Sequence, residues 1–157
     1  MDSQILIYGL LGGLAIGLLV SAYTDIRYRL ILNAVTLPIA LAAPLYWYAV
    51  GDFTPTAIAI HLAIAAGVFA FFALFFRFGA MGGGDVKLFS VLALWFDWVW
   101  VMRLLFVASL LGALVTIVFF AIHKARRQEG PVKVPYGVAI SFSGLWVAGE
   151  QIFNHFG

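Results

Sequence analysis

The chain has 157 residues, 64% of them hydrophobic and 10% charged, with a net charge of +2 and no cysteine. A soluble domain carries about 45–50% apolar and about 25% charged residues, so this composition, with a mean hydropathy of +1.06, reads as a membrane protein. The missing cysteines exclude disulfides, thiolate metal sites and cysteine nucleophiles, and the small net charge gives no reason to expect nucleic acid as a partner.

Only Asp2 precedes the first apolar run, without a basic n-region or a cleavage pattern after it, so the run reads as a retained helix rather than a signal peptide. A membrane-spanning helix needs about 20 apolar residues. Six segments fit: 4–24, 34–50, 55–76, 86–96, 99–122 and 136–153. The expectation is an all-α, polytopic membrane protein with about six transmembrane helices, forming one domain over residues 1–157. The fourth segment is short, so either it starts earlier, within the preceding glycines, or Asp85 lies in a recess below the membrane surface. Gly9, Gly13 and Gly17 recur every four residues and read as a close-packing face. Pro38 and Pro44 fall inside segment two and are expected to kink it.

Arg27, Arg29, Arg77, Lys87, Lys124, Arg126, Arg127 and Lys133 fall on one side of a six-span model, and only Arg103 falls on the other. The positive-inside rule makes the crowded side cytoplasmic. Both termini then lie outside with Asp2, Asp52, Asp97 and Glu150. Tyr46, Trp47 and Tyr48 are expected at the outer interface with Trp95, Trp98 and Trp100. The polar stretch from His123 to Val134 reads as a cytoplasmic loop whose bases can touch anionic lipid.

The stretch from Ala80 to Leu88 carries three consecutive glycines, Gly82, Gly83 and Gly84, then Asp85, with Lys87 two residues on. Glycine admits positive φ and close approach of another chain. Asp25 ends segment one and Asp85 starts segment four, so an even number of crossings puts both carboxylates at one leaflet. Apart from Glu129 in the polar loop, no other acid shares that side. Two close carboxylates cannot both ionise cheaply. The ionised one can activate a water while the protonated one supplies a proton to the leaving amine. The plainer reading pairs Asp25 with Arg27 or Arg29, and Asp85 with Lys87.

Gly82-x-Gly84-Asp85-Val86-Lys87-Leu88 resembles the GxGD motif of the type IV prepilin peptidases, membrane aspartic proteases of the A24 type. The run from Asp25 through Arg27, Arg29 and Ile31 to Asn33 resembles that family's first-aspartate block. Val134-Pro135-Tyr136-Gly137-Val138-Ala139-Ile140 resembles a third block. One departure is visible, since Leu32 stands where the family often has proline. The resemblance is nearest to the short, peptidase-only Tad/CpaA-like members that serve Flp-type pili. It implies that Asp25 and Asp85 are the catalytic pair, with no cofactor and no metal. Gly82, Gly83, Gly84 and Lys87 would admit the substrate, and Arg27, Arg29, Asn33, Pro135, Tyr136 and Gly137 would support the loops. The implied substrate is a prepilin or pseudopilin with a short basic leader before a hydrophobic helix, cut at the cytoplasmic face of a bacterial inner membrane. The implied surroundings are the lipid bilayer and a pilus or secretion machinery. Larger members also N-methylate the new terminus through a cysteine-bearing cytoplasmic region; methyltransferase activity is not expected here.

The rival reading is a proton- or ion-coupled transporter subunit using the aspartates as a relay. A relay should reach the other leaflet, and His61 is the one ionisable group deep in a span. His61 reads as hydrogen-bonded packing, His123 and His155 as interfacial, and Ser141 and Ser143 as hydrogen-bonding between helices. A non-enzymatic scaffold of the secretion machinery is a third reading, one that would survive loss of either aspartate. The presenilin-like group also uses GxGD, but its partner blocks match poorly.

Overall fold

The computed structural model describes residues 2–127 and 134–156, with side chains over 3–127 and 134–154. Glu129 and Lys133, and the side chains of Asp2 and His155, lie outside the described residues. The described residues form six helices: α1 (Asp2–Tyr28), α2 (Asn33–Ala49), α3 (Pro55–Arg77), α4 (Gly83–Ala93), α5 (Trp98–Ala125) and α6 (Tyr136–Phe156). The all-α expectation holds. Three of the helices, α1, α3 and α5, are long and apolar enough to cross a membrane.

Local chemistry sets the ends. Thr54 caps α3 by accepting from the Ala57 N–H at 3.2 Å, with Pro55 in the first turn. Asp97 caps α5 by accepting from the Val99 and Trp100 amides at 3.1 and 3.2 Å. Helix α3 stops in a paired C-terminal motif: Gly79 N–H bonds to Phe76 O, and Ala80 N–H to Phe75 O. That motif requires φ +71° at Gly79. Helix α2 stops the same way at Gly51, φ +81°, with Asp52 N–H on Trp47 O.

The glycines before Asp85 do something other than the expected left-handed turn. Gly82 has φ −73° and stands just ahead of α4, while Gly83 and Gly84 form its first turn. The short fourth segment therefore begins within the glycines. It still spans only 11 residues, about 16 Å at 1.5 Å per residue.

Helix α4 is the buried core element. It packs against α2, α3 and α6, while α6 also packs against α1 and α5. Leu88, Phe89, Leu92 and Ala93 of α4 are buried with Leu11, Leu14 and Leu18 of α1, and the Phe89 ring stacks on Phe72 of α3 at 4.5 Å. Phe71 and Leu74 of α3, and Phe106, Leu110, Leu114 and Ile117 of α5, face outward, as suits lipid contact. Lipid tails are as apolar as leucine, so packing and interhelical hydrogen bonds hold such a bundle together. Two bonds join α2 to the end of α4: Trp47 Nε1 donates to Leu94 O at 2.7 Å, and Trp95 Nε1 to Ile39 O at 3.0 Å.

Those bonds correct the aromatic-belt expectation in part. Trp98 and Tyr48 are exposed, but Tyr46, Trp47 and Trp95 are buried inside the bundle. The close-packing stripe also holds in part. A Cβ on Gly17 would meet Ile39 Cδ1 at 2.7 Å, whereas Gly9 and Gly13 have nothing within 4 Å. Ser143 bonds to carbonyls of its own helix, and Ser141 has no partner among the described residues, so neither makes the expected interhelical bond.

Candidate active site

Helices α1, α3 and α5 end, and α2, α4 and α6 begin, at the same end of the bundle, where the three sequence blocks converge. Asp25 occupies the last turn of α1 and is 6% exposed. Its carbonyl accepts from the Arg29 N–H at 3.0 Å, and Arg29 turns the chain out of the helix with φ +54°. A left-handed conformation costs a non-glycine residue roughly 1–2 kcal/mol, so this exit is held by its surroundings. The Arg29 guanidinium acts electrostatically on Asp25 and also lies over the Phe119 ring at 4.9 Å. The first turn of α6 comes up against Asp25 from the other side, its Gly137 and Val138 amides facing the carboxylate. Asp25 Oδ2 nonetheless lacks a hydrogen-bond partner among the described residues. A Cβ on Gly137 would lie 2.9 Å from both Asp25 Cγ and Oδ2, and 2.8 Å from Ile31 Cδ1.

Asp85 stands at the third position of α4, ahead of the apolar run. Its carboxylate folds back toward the Gly82 amide, as the acidic member of a capping box does. Burial first, and the Asp25 charge second, push Asp85 up to about 7 against the pull of that amide. The glycines keep neighbours close. A Cβ on Gly82 would come within 3.0 Å of Asp85 Oδ2, one on Gly83 within 3.2 Å of the Phe76 ring, and one on Gly84 within 3.1 Å of Ile31 Cβ.

Both carboxylates line one open cavity of about 670 Å³. The glycine turn, the segment 29–33 after α1, and Phe69, Ala73 and Phe76 of α3 complete its wall. Chemically this is a polar pair at the end of an apolar trough, with room for extended backbone. No group of three or more metal-ligating side chains occurs among the described residues.

The model of the type IV leader peptidase family matches residues 13–117. The chain belongs to that family. A prepilin leader peptidase/N-methyltransferase of Dickeya chrysanthemi is 30% identical over 138 residues, 80% of this chain and 48% of that protein. One of Legionella pneumophila is 31% identical over 78 residues, 47% of this chain and 25% of that protein. The chain thus spans half or less of the length of these relatives. No solved structure matches.

The structure brings together Asp25, Asp85, Gly82, Gly83, Gly84, Arg29, Asn33 and Lys87 around the cavity. Gly137 supports Asp25 from behind, beside the fully buried Pro135. Tyr136 faces α5 instead, its hydroxyl accepting from Thr116 Oγ1 at 3.4 Å. Arg27 is exposed and outside the cavity wall. Lys87 does not pair with Asp85. Its ammonium donates to Asn33 Oδ1 at 3.2 Å, joining the start of α4 to the start of α2. Neither aspartate forms an ion pair within 4 Å among the described residues, which removes the plainer reading of both.

Sequence reasoning missed Ile31 as a site residue. It is buried, and both Gly84 and Gly137 close on it. Its place between Arg29 and Asn33 in the first block was the available signal. It also missed Phe69, Ala73 and Phe76, which share one helical face by their spacing of four and three but look like any apolar span.

Proposed function

We propose that this type IV leader peptidase family member is a membrane aspartic endopeptidase acting on prepilins or pseudopilins, of the Flp type by its motif likeness. The observation that carries the reading is the meeting of Asp25 and Asp85, buried and from different helices, in one glycine-walled cavity. The ionised carboxylate takes a proton from a water, which attacks the scissile carbonyl. The protonated carboxyl gives its proton to the departing amine. Asp85, raised by burial and by the Asp25 charge, is the natural proton donor; burial raises Asp25 as well, but the Gly137 and Val138 amides and Arg29 pull against it, which makes Asp25 the natural base. The glycines keep side chains out of the path of an extended leader. The apolar α3 wall suits the hydrophobic helix that follows the cut.

The reading extends to topology. Six spans place both termini outside and the aspartates at the cytoplasmic face of the bacterial inner membrane, within a single peptidase domain over 1–157. It covers proteolysis only, the part of the relatives' peptidase and N-methyltransferase pairing that two carboxylates can perform. The test is co-expression with candidate prepilins, scored by gel mobility. Asp25→Asn and Asp85→Asn should each abolish leader removal, and the double variant should be no worse than either single, because residues acting as a unit are not additive. A single variant that still cleaves at the wild-type rate refutes the dyad.

A further inference from the structure

Phe119 lies on α5, one turn before the basic end of that helix at His123 and Lys124, and it is no part of the cavity wall. Helix α5 packs chiefly on α6. The half-buried Phe119 ring still touches the surroundings of the aspartates, through a cation. The exposed Arg29 guanidinium lies over it, 4.9 Å from the ring centroid, and Arg29 also lines the cavity that holds Asp25 and Asp85.

The backbone puts Arg29 there at some cost. Its N–H on Asp25 O closes α1 in a left-handed motif that usually ends on glycine, and at φ +54° an arginine lacks glycine's ease. The Arg29 charge acts on Asp25 and favours its ionised form, yet no ion pair joins the two within 4 Å among the described residues. A guanidinium forked onto the carboxylate would take lone pairs that an attacking water needs. One adrift in water would be screened. An aromatic face attracts a guanidinium without offering it an acceptor oxygen, so it can hold the charge between these two extremes.

The other groups around Asp25 do not supply this charge. Asp85 on α4 carries the same sign as Asp25, and the Gly137 and Val138 amides of α6 are neutral dipoles. Lys87 lines the same cavity but gives its ammonium to Asn33. His123 and Lys124 lie a turn beyond Phe119, and neither is among the groups acting on Asp25.

We propose that Phe119 is a positioning residue for leader cleavage: its ring seats the Arg29 guanidinium where the charge acts on Asp25 without bonding to it. This role rests on the reading of Asp25 as the catalytic base, while the seat itself can be tested without cleavage.

The test is the ¹³C carboxyl titration of Asp25 by NMR, on the full chain labelled at aspartate in phosphatidylcholine nanodiscs, with the resonance assigned through Asp25→Asn. Asp85 is present throughout, so differences between variants report Arg29. Arg29→Gln should raise the midpoint by about one pH unit. Phe119→Leu should raise it by about half a unit as the freed guanidinium moves into water, and Phe119→Met replaces it if the leucine variant does not fold. Phe119→Tyr keeps the ring and should leave the midpoint in place. In the Arg29→Gln chain, Phe119→Leu should add nothing, because the two act as one unit. An unmoved or lowered midpoint in Phe119→Leu, or the same rise with and without Arg29, overturns the proposal. The acid limb of kcat/KM for prepilin cleavage should move in the same order. A limb that stays put while the midpoint moves overturns the role in cleavage and Asp25 as the base with it, and leaves the seat standing. If the wild-type chain cleaves no prepilin, the functional reading fails and the titration still decides the seat.

Discussion

Replacing Gly137 by alanine adds one methyl group where the start of α6 meets Asp25. That carbon would sit 2.9 Å from Asp25 Cγ and Oδ2 and 2.8 Å from Ile31 Cδ1, against ordinary contact from 3.4 Å upward. Relief requires roughly 0.5 Å of movement by the carboxylate or by α6. Ile31 cannot simply withdraw, because Gly84 closes on its other side. A misplacement of about 1 Å in a catalytic group can cost about a hundredfold in rate, so half of that projects to about a tenfold loss. The overpacking itself should cost about 1–3 kcal/mol of stability, which leaves the protein inserted and folded. The assay is the initial rate of prepilin cleavage by purified protein in detergent, normalised to folded protein measured by thermal unfolding. Gly13→Ala is the control, since nothing lies within 4 Å of a Cβ there, and it should cleave at the wild-type rate. A Gly137→Ala protein with full activity would refute the argument that α6 holds the Asp25 carboxylate in place.

The rate should also depend on pH in a stated direction. Asp85 is raised to about 7, so it holds its proton below that pH and loses it above. As the proton donor it should make kcat/KM fall as pH rises through 7, and a rate still climbing to pH 9 would contradict that role. Lys87→Met removes the exposed bond to Asn33 and should lower cleavage a few-fold without abolishing it; complete loss would give Lys87 a larger part than tethering. Gly84→Val sets a branched side chain against Ile31 Cβ, where even one carbon would stand at 3.1 Å. It should stop cleavage while the protein still inserts, and full activity would show that this contact is dispensable. Reporter fusions after Gly51 and after Gln128 should report outside and inside respectively, and the reverse pattern would sink the six-span topology.

Much of this was legible because membrane helices announce themselves by length and composition. Helices α1, α2, α3, α5 and α6 each begin within about two residues of the expected segments. The start of α4 was harder, since glycine suits both a loose turn and a helix terminus. Here Gly83 and Gly84 enter the helix, and the φ > 0 requirement falls on Gly79, three residues upstream of Gly82. The aspartates could be paired from the parity of the crossings alone. Their support could not, because Gly137 against Asp25 and Ile31 between two glycines are tertiary contacts with no local pattern. Tyr46, Trp47 and Trp95 were assigned to the interface because aromatic clusters near span ends usually sit there. Their burial follows from the indole bonds between α2 and α4, which no one-dimensional pattern displays.

Those indole bonds also give the molecule a mechanical bias. Helices α2 and α4 start side by side at the aspartates and run together toward the opposite end. Away from the aspartates they are clamped by Trp47 on Leu94 and Trp95 on Ile39. At their starts, among the described residues, the exposed Lys87–Asn33 pair is the side-chain bond between them, a contact water competes for. The pair is built like tweezers with the pivot at the tryptophans and the tips at the glycine turn. A force that parts the tips would widen the aperture beside Asp85 while the tryptophan pivot resists.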